Sequence, residues 1–485
     1  MQELLTLSAQ QLAHRIRTGQ VSSRAVVEAH IARQQAVNGK LNAVVANRYA
    51  EALQEADAAD ETLRRAQPDQ PLAPLMGVPC SIKECFALTG MPQTSGLLAR
   101  RGYRSPQDAP TVARLRAAGA IPLGVTNVSE LCMWMESHNK VYGRTRNPYN
   151  LSRIVGGSSG GEGAIIAAGG APFGLGSDVG GSIRMPAFFN GIFGHKPSGG
   201  LVPNTGQYPD GEGKVSGYLC TGPLARRAED LWPLLNLLAG PDGQDPGCKP
   251  MLLGRPDKVD WSKHTVYVVR SSGAWYTRPV QRDLHLAQDR AAAALQALGA
   301  KVEPLVVPRF ADALWMWSAA LRKGGAPTFA SIMGLDKPTR LLSEFLKLPF
   351  GRSRHTYMAL MLALVETPPA FLLGLDKQYL SWLEELTAEM NHRLRDAVLL
   401  YPPYPAVAPA HRWPQFTRPL DWTYTGLFNA LQLPVTQVPT GLNAQGLPTG
   451  VQVASAHGND HLTVAAAEAL ETALGGWVWP SALDR

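Results

Sequence analysis

Through the first seventy residues, apolar positions recur every three or four residues; beyond them the pattern shortens into apolar runs bounded by glycine and proline. This predicts a helical start followed by strands and helices in turn. Ser8 and Gln11 form a capping box before AQQLAHRIR, and Gly19 closes that helix after Arg17. Ser22 and Ser23 precede AVVEAHIARQQAV, a second amphipathic helix, and a polar, alanine-rich helix continues to about Gln67, where PDQPLAP ends it. From Gly77 the prediction runs GVPCSIKE as a strand, a helix at about 110–118, IPLGVTN as a strand and a helical TNVSELCMWM region. HTVYVVRSS, QRDLHLAQDRAAAALQALG closed by Gly299, and AKVEPL make a βαβ unit, and AVAPA, LPVTQVP and TGVQVAS are strand-like. The expected fold is α/β: one large mixed, mostly parallel sheet covered by helices on both faces. A helical region 1–70 precedes a main domain 71–485, which carries an apolar helical insertion at about 308–380. That insertion is rich in Leu, Met, Trp and Phe, with Arg352, Arg354 and His355 beside YMALMLALV and FLLGL. It reads equally as packed core and as an acyl-chain channel or membrane-facing cap.

Composition narrows the function classes. Of 485 residues, 18% are charged, below the roughly 25% usual in soluble proteins, which leaves room for exposed apolar surface. The net charge of +7 is dispersed along the chain, which argues against a nucleic-acid partner. Five cysteines (Cys80, Cys85, Cys132, Cys220, Cys248) without a CxxC pair suit neither a disulfide framework nor a zinc site. Reduced thiols fit a cytoplasmic protein. No run approaches the roughly 18 apolar residues that span a bilayer, and the N-terminus lacks the apolar core of a signal peptide.

The chemistry concentrates in 156–186, GGSSGGEGAIIAAGGAPFGLGSDVGGSIRMP, where Ser158 and Ser182 sit in glycine beds 24 positions apart. Glycine permits close approach and positive φ at a cost in order, so such density needs a reason. After Asp178, successive N–H groups of Val179, Gly180, Gly181 and Ser182 could converge as an anion nest beside a hydroxyl, an arrangement suited to acyl transfer through an oxyanion. Competing motifs are weaker. GxSxG occurs around Ser158 and Ser159, but no strand precedes it as a nucleophile elbow requires. SHNK at 137–140 fits SxxK without the accompanying SDN or KTG, Gly174 and Gly176 begin a GxGxxG with wrong spacing, and no GxxxxGK[ST] is present. His138, His195 and His411 read as hydrogen-bonded structural imidazoles.

GVPCSIKE with Lys83, GGSSGGEGA with Ser158 and DVGGSIRMPAFFNGIFGHKPS with Ser182 together resemble the amidase signature family. GVTNVSELCMWMESHNKVYGRTRNPYN, MPAFFNGIFGHKPSGGLVPN and LPVTQVPTGLNAQGLPTGVQV extend the likeness over most of the chain, nearest to the fatty acid amide hydrolases of the second vertebrate type. Those enzymes carry an N-terminal membrane segment, which this chain is expected to lack. The resemblance implies Ser182 as nucleophile, Ser158 as a bridging serine after a cis peptide from Gly157, and Lys83 as base. Desolvation favours the neutral form of a buried amine, so no histidine is needed. It further implies an oxyanion hole from Val179, Gly180, Gly181 and Ser182, a supporting pair of Asp178 and Arg184, and substrate contacts at Cys132, Met133 and Trp134.

The implied activity is hydrolysis of a carboxylic amide with an apolar or fatty acyl group through a Ser182 acyl-enzyme, with no metal and no cofactor. An aryl acylamidase, a peptide amidase and an amidotransferase A-type subunit share the triad and remain alternatives; an inactive binding module on the same fold is the alternative of another class. The partner is a small-molecule amide, and the composition leaves room for peripheral membrane contact and for a homodimer.

Overall fold

The computed structural model describes residues 2–67, 70–211, 213–325, 327–335, 339–366 and 375–484. Residues 68–69 of PDQPLAP, 371–374 of FLLGL and parts of the 308–380 insertion lie outside them. The strands in chain order are β1 (Val44–Asn47), β2 (Pro79–Lys83), β3 (Ile121–Thr126), β4 (His138–Asn139), β5 (Gly143–Arg144), β6 (Phe173–Asp178), β7 (Phe193–Lys196), β8 (Cys220–Ala225), β9 (Thr265–Val268), β10 (Lys301–Pro304), β11 (Ala397–Tyr401), β12 (Val435–Leu442) and β13 (Pro448–Ala454). Among the described residues, β4 and β5 form a separate ribbon and the other eleven form one sheet, ordered β1-β3-β2-β6-β8-β7-β12-β13-β11-β9-β10.

The expected α/β fold, a large mixed sheet between helical layers, is therefore present. Parallel pairing holds in two blocks, β3-β2-β6 and β11-β9-β10. The six other neighbouring pairs are antiparallel. The reason is connectivity: parallel neighbours need a crossover, which the helices Pro110–Ala117 and Arg282–Ala297 supply, whereas β12 and β13 are joined by a short turn. The βαβ unit is as expected, with Lys301 opposite Thr265.

One face of the sheet is covered by Pro110–Ala117, Leu231–Leu238, Arg282–Ala297 and Asp460–Leu474. The other carries Gly160–Ala167 and Arg184–Phe189, then a group formed by Ala313–Lys323, Asp376–Arg393 and Thr423–Ala430. β11 (AVLLY), buried along its whole length, is apolar throughout, whereas the equally buried β2 (PCSIK) and β6 (FGLGSD) end in polar residues.

Three expectations need correction. TNVSELCMWM forms no helix beyond a 3-10 turn at Glu130–Cys132, because Leu131 and Cys132 adopt left-handed φ of 54° and 59° and the Leu131 N–H goes to Ser95 O. AVAPA is not a strand; the strand lies just before it at β11. The helical start contains β1, which pairs with β3 at the sheet edge.

That start is tied down by one buried acidic side chain, Asp230. The capping box forms as expected, with Ser8 Oγ accepting from Gln11 N at 2.9 Å. Asp230 completes the same helix N-terminus by accepting from Ala9 N and Gln10 N at 2.9 and 3.0 Å. Replacing a capping side chain by alanine costs about 1–2 kcal/mol, and leaving buried N–H groups unpaired adds to it. Asp230→Ala should therefore lower the urea midpoint, and an unchanged midpoint would show that this cap carries no stability.

Candidate functional site

Parallel pairing puts the C-terminal ends of β2 and β6 on the same sheet edge, where α/β folds place their ligands. β2 ends at Lys83 and β6 at Asp178. Side chains two apart share a face of a strand, so Ser81 and Lys83 meet the segment of GGSSGGEGA that lies over that face. Lys83 Nζ donates to Ser158 Oγ at 2.7 Å, to Ser177 Oγ at 2.8 Å and, at 3.4 Å, to Ser177 O. Lys83 is 0% exposed, and its hydrogen-bond partners among the described residues are hydroxyls and a carbonyl, with no carboxylate.

The peptide between Gly157 and Ser158 is cis. A Cβ at Gly157 would stand 2.2 Å from Trp134 O, so the glycine bed seats this loop directly on the backbone of Trp134 and Met135. Ser137 Oγ holds the loop from beneath, donating to Gly156 O or Ser158 O and accepting from Gly160 N. The serine of SHNK is thus a positioning group, while Lys140 is exposed. GxG at Gly174 and Gly176 also finds its reason in packing, since a Cβ at Gly174 would collide with Glu162 Oε2.

Ser182 is 7% exposed, against 1% for Ser158, and its backbone carbonyl accepts from Ser159 N at 3.3 Å. Its hydroxyl makes no hydrogen bond among the described residues. The turn carrying it is fixed by Asp178, whose carboxylate accepts from Gly181 N at 2.6 Å and Ile183 N at 3.1 Å and pairs with Arg184 Nε and Nη2 at 3.0 and 2.9 Å. Burial opposes ionisation of Asp178, but the adjacent guanidinium outweighs it and holds the carboxyl far below the usual range. Gly181 has φ +121°, where its Cβ would strike Thr425 Oγ1, so only glycine fits there. Of the four N–H groups expected to hold an oxyanion, that of Gly181 is taken by Asp178, while those of Val179, Gly180 and Ser182 have no partner among the described residues.

Cys132, Met133 and Trp134 are partly exposed at the same site. Cys132 packs against the apolar cluster that contains Cys85 and Phe86, and Met133 packs with Leu97, Leu131 and the helix Tyr357–Val365. Several neighbours were not expected from the sequence. Trp317 Nε1 donates to Val179 O at 2.8 Å and its ring meets that of Trp422 edge-on at 4.7 Å. Both rings face Gly180, with Trp422 the nearer. Asn429 and Gln452 accept from Arg184 at 2.6 and 2.8 Å. Ser177 stands directly before Asp178 and could have been read from the motif, but Trp317, Trp422, Asn429 and Gln452 come from distant segments without a local signal.

Glu162, in the first turn of Gly160–Ala167, accepts from Ser81 Oγ at 2.6 Å and Thr126 Oγ1 at 2.7 Å. Burial pushes it up to about 7, against the two hydroxyls and the charge of Lys83. Among the described residues, no group of three His, Cys, Asp or Glu side chains converges as a metal site. His195 is buried between Thr436 and Asp460, and His411 bonds Glu136 and Leu151 O, in keeping with structural roles.

A model of the family described as Amidase matches residues 25–464. The chain is 47% identical to fatty-acid amide hydrolase 2-A of Danio rerio over 98% of this chain and 90% of that protein. It is 45% identical to fatty-acid amide hydrolase 2 of Homo sapiens, over 98% and 91% respectively. The solved structure of a bacterial aryl acylamidase of the amidase signature family superposes with a TM-score of 0.81 at 27% identity, covering 99% of this chain and 98% of that one.

Folded, Glu162 keeps its proton up to about pH 7, whereas its ordinary value, taken for the unfolded chain, is 4.5. The proton-linked stability is complete below 4.5 and is lost as pH rises through 7. Glu162→Gln has no proton to lose, so its urea midpoint relative to wild type should rise between pH 4.5 and 7 and stay level on either side. A difference independent of pH would show that this carboxyl does not titrate there.

Proposed function

This chain belongs to the amidase signature family and is an amide-cleaving hydrolase, and on that premise we propose that it hydrolyses amides of apolar, fatty-type acyl groups through an acyl-enzyme on Ser182. The observation that carries the reading is the 2.7 Å contact between Lys83 Nζ and Ser158 Oγ in a buried setting with no carboxylate on the amine. In this mechanism Lys83, as the free amine, takes the proton of Ser158, and Ser158 takes that of Ser182 as its Oγ attacks the amide carbon. The oxyanion is held by the N–H groups of Val179, Gly180 and Ser182. One such donor contributes roughly 3 kcal/mol. As the C–N bond breaks, the proton returns from Lys83 through Ser158 to the leaving amine. Water then attacks the acyl carbon and gives its proton to the same relay, which hands it to Ser182 Oγ as the ester bond breaks and the acid leaves. Asp178 and Arg184 hold the turn, and Gly157 seats the loop.

An apolar acyl group is supported by the rings of Trp317 and Trp422 beside Gly180 and by Met133 against the insertion. The names of the vertebrate relatives point the same way. The aryl acylamidase reading rests on the bacterial structural relative. Initial rates on amides of octanoate, palmitate and oleate, set against acetanilides, separate the two: kcat/KM should rise with acyl length, and a preference for the anilides would overturn the fatty-acyl assignment. Ser182→Ala should lose about a thousandfold or more in kcat together with labelling by a fluorophosphonate. Retained turnover would refute the mechanism.

A lipid surface as a further partner is supported by an apolar helix face. Leu342 and Leu346 are 75% and 66% exposed one turn apart, with Phe350 (76%), Leu364 and Val365 also exposed. Exposed Arg340, Arg352 and Arg354 flank them and suit anionic headgroups. His355, which the sequence grouped with these arginines, is instead buried, with Nδ1 2.7 Å from Glu130 Oε1. Among the described residues no helix is long and apolar enough to cross a membrane, so the contact would be peripheral. Five unpaired thiols favour a reducing, cytoplasmic setting. Leu342→Ser with Leu346→Ser and Phe350→Ser should abolish co-sedimentation with phosphatidylserine vesicles. Unchanged binding would overturn the surface, and a concentration-dependent dimer abolished by the same changes would assign it to a second copy.

A further inference from the structure

The carbonyls that lead into the Ser182 turn meet side chains from distant segments. Asp178 O accepts from Asn429 Nδ2 at 2.8 Å, and Val179 O accepts from Trp317 Nε1 at 2.8 Å. Gly180 O lies 2.7 Å from Thr425 Oγ1, which donates to it or to Trp422 O. Asn429 and Thr425 belong to the helix Thr423–Ala430, whereas Trp317 is on Ala313–Lys323, at the start of the apolar insertion.

A peptide unit is a rigid plane, and in the trans form its C=O and N–H point in opposite directions. The peptides from Asp178 to Ser182 are trans. Whatever holds the carbonyl of one residue therefore sets the direction of the next residue's N–H. The Asn429 bond to Asp178 O aims the Val179 N–H, and the Trp317 bond to Val179 O aims the Gly180 N–H. Met185 N, donating to Gly181 O at 2.7 Å, aims the Ser182 N–H in the same way. These are the three N–H groups of the turn that have no partner among the described residues. Asn429 also donates towards Asp178 Oδ1 and Tyr218 O and accepts from Arg184, so it serves the whole ion-pair network. The indole N–H of Trp317 bonds Val179 O alone among the described residues, and the edge-on ring of Trp422 holds it there. Gly180 has no Cβ to restrict rotation, so without that bond the Val179–Gly180 plane is free to turn.

We propose that Trp317 is a positioning residue of the amidase centre: its indole N–H fixes the Val179–Gly180 peptide plane so that the Gly180 N–H faces the developing oxyanion. The inference rests on the acyl-enzyme reading given above and adds to it a residue that acts through the backbone and not on the proton relay. With the carbonyl released, the Gly180 N–H is still present but held at no fixed angle, and a hydrogen bond weakens steeply as its angle falls. The neutral oxygen of the bound amide gains less from an aimed donor than the oxyanion does, so the loss falls on kcat and not on KM.

The test compares the wild type with Trp317→Phe and with a full chain in which 3-benzothienylalanine replaces Trp317, keeping the fused rings and removing only the N–H. It measures kcat, KM and the pH profile on an oleoyl amide, together with Ki for the matching trifluoromethyl ketone, which adds a serine oxygen and carries an oxyanion. Both variants should lose about tenfold in kcat, less than the roughly hundredfold loss on deleting an oxyanion donor outright. KM should stay within about twofold, and ketone binding should weaken by the same factor as kcat/KM. The pH profile should not shift, because the relay keeps its groups. Full kcat in the benzothienylalanine enzyme would overturn the proposal, as would a loss confined to KM or a fall in kcat/KM without weaker ketone binding. If Trp317→Phe does not fold, the isosteric chain carries the test by itself. Turnover that survives Ser182→Ala would overturn the acyl-enzyme reading and this inference together, whereas a silent Ser182→Ala beside full kcat in the Trp317 variants would overturn the inference alone.

Discussion

The ion pair between Asp178 and Arg184 is the constraint on which the rest of the site depends. Both side chains are 0% exposed, and removing either partner of such a pair leaves a buried charge at a cost of about 3–5 kcal/mol. Asp178 also accepts from Gly181 N, Ile183 N and Asn429 Nδ2, which fixes the end of β6 in a turn whose N–H groups at Val179, Gly180 and Ser182 have no partner among the described residues. Arg184 spends its remaining donors on Thr425 O, Asn429 and Gln452. One pair thus joins a strand end, the Ser182 turn, the helix Thr423–Ala430 and β13. Glycine at 181 lets the backbone follow that path, and Thr425 closes over it by donating to Gly180 O or Trp422 O.

Around Lys83 the arrangement is the reverse, because carboxylates are held away from the amine. Glu162 lies near enough for its field to matter yet bonds Ser81 and Thr126, and burial pushes it to about 7. Glu84, the next residue along, is likewise pushed to about 7 by burial and is occupied by Thr94, Ser95 and Tyr142. An ammonium locked to a carboxylate would be a poor proton acceptor, whereas an amine among hydroxyls can exchange protons with them.

Features written in contiguous residues were legible. The capping box at Ser8 and Gln11, the βαβ unit closed by Gly299 and the strands β2, β3, β12 and β13 follow from periodicity and local caps. The errors arose where distant atoms overrode local preference. TNVSELCMWM has helical spacing, but Glu130 is drawn to His355 and Thr356, and Leu131 N to Ser95 O. β1 forms because β3 offers it an edge, not because its own residues demand a strand. His355 looked like part of a basic surface beside an apolar helix, and only its partner on another element shows that it is interior.

The sequence by itself determined the α/β class, the family and the motifs that the fold gathers around Lys83. Glycine spacing and motif order are properties of neighbouring residues, and backbone sterics act on neighbours. Only the tertiary structure decided which N–H groups stay unpaired among the described residues, that tryptophans from two distant segments flank Gly180 and that Glu162 bonds Ser81, two positions before Lys83. Burial, hydrogen bonding and electrostatic fields act through space between segments far apart in the chain, and no local pattern records where those segments meet.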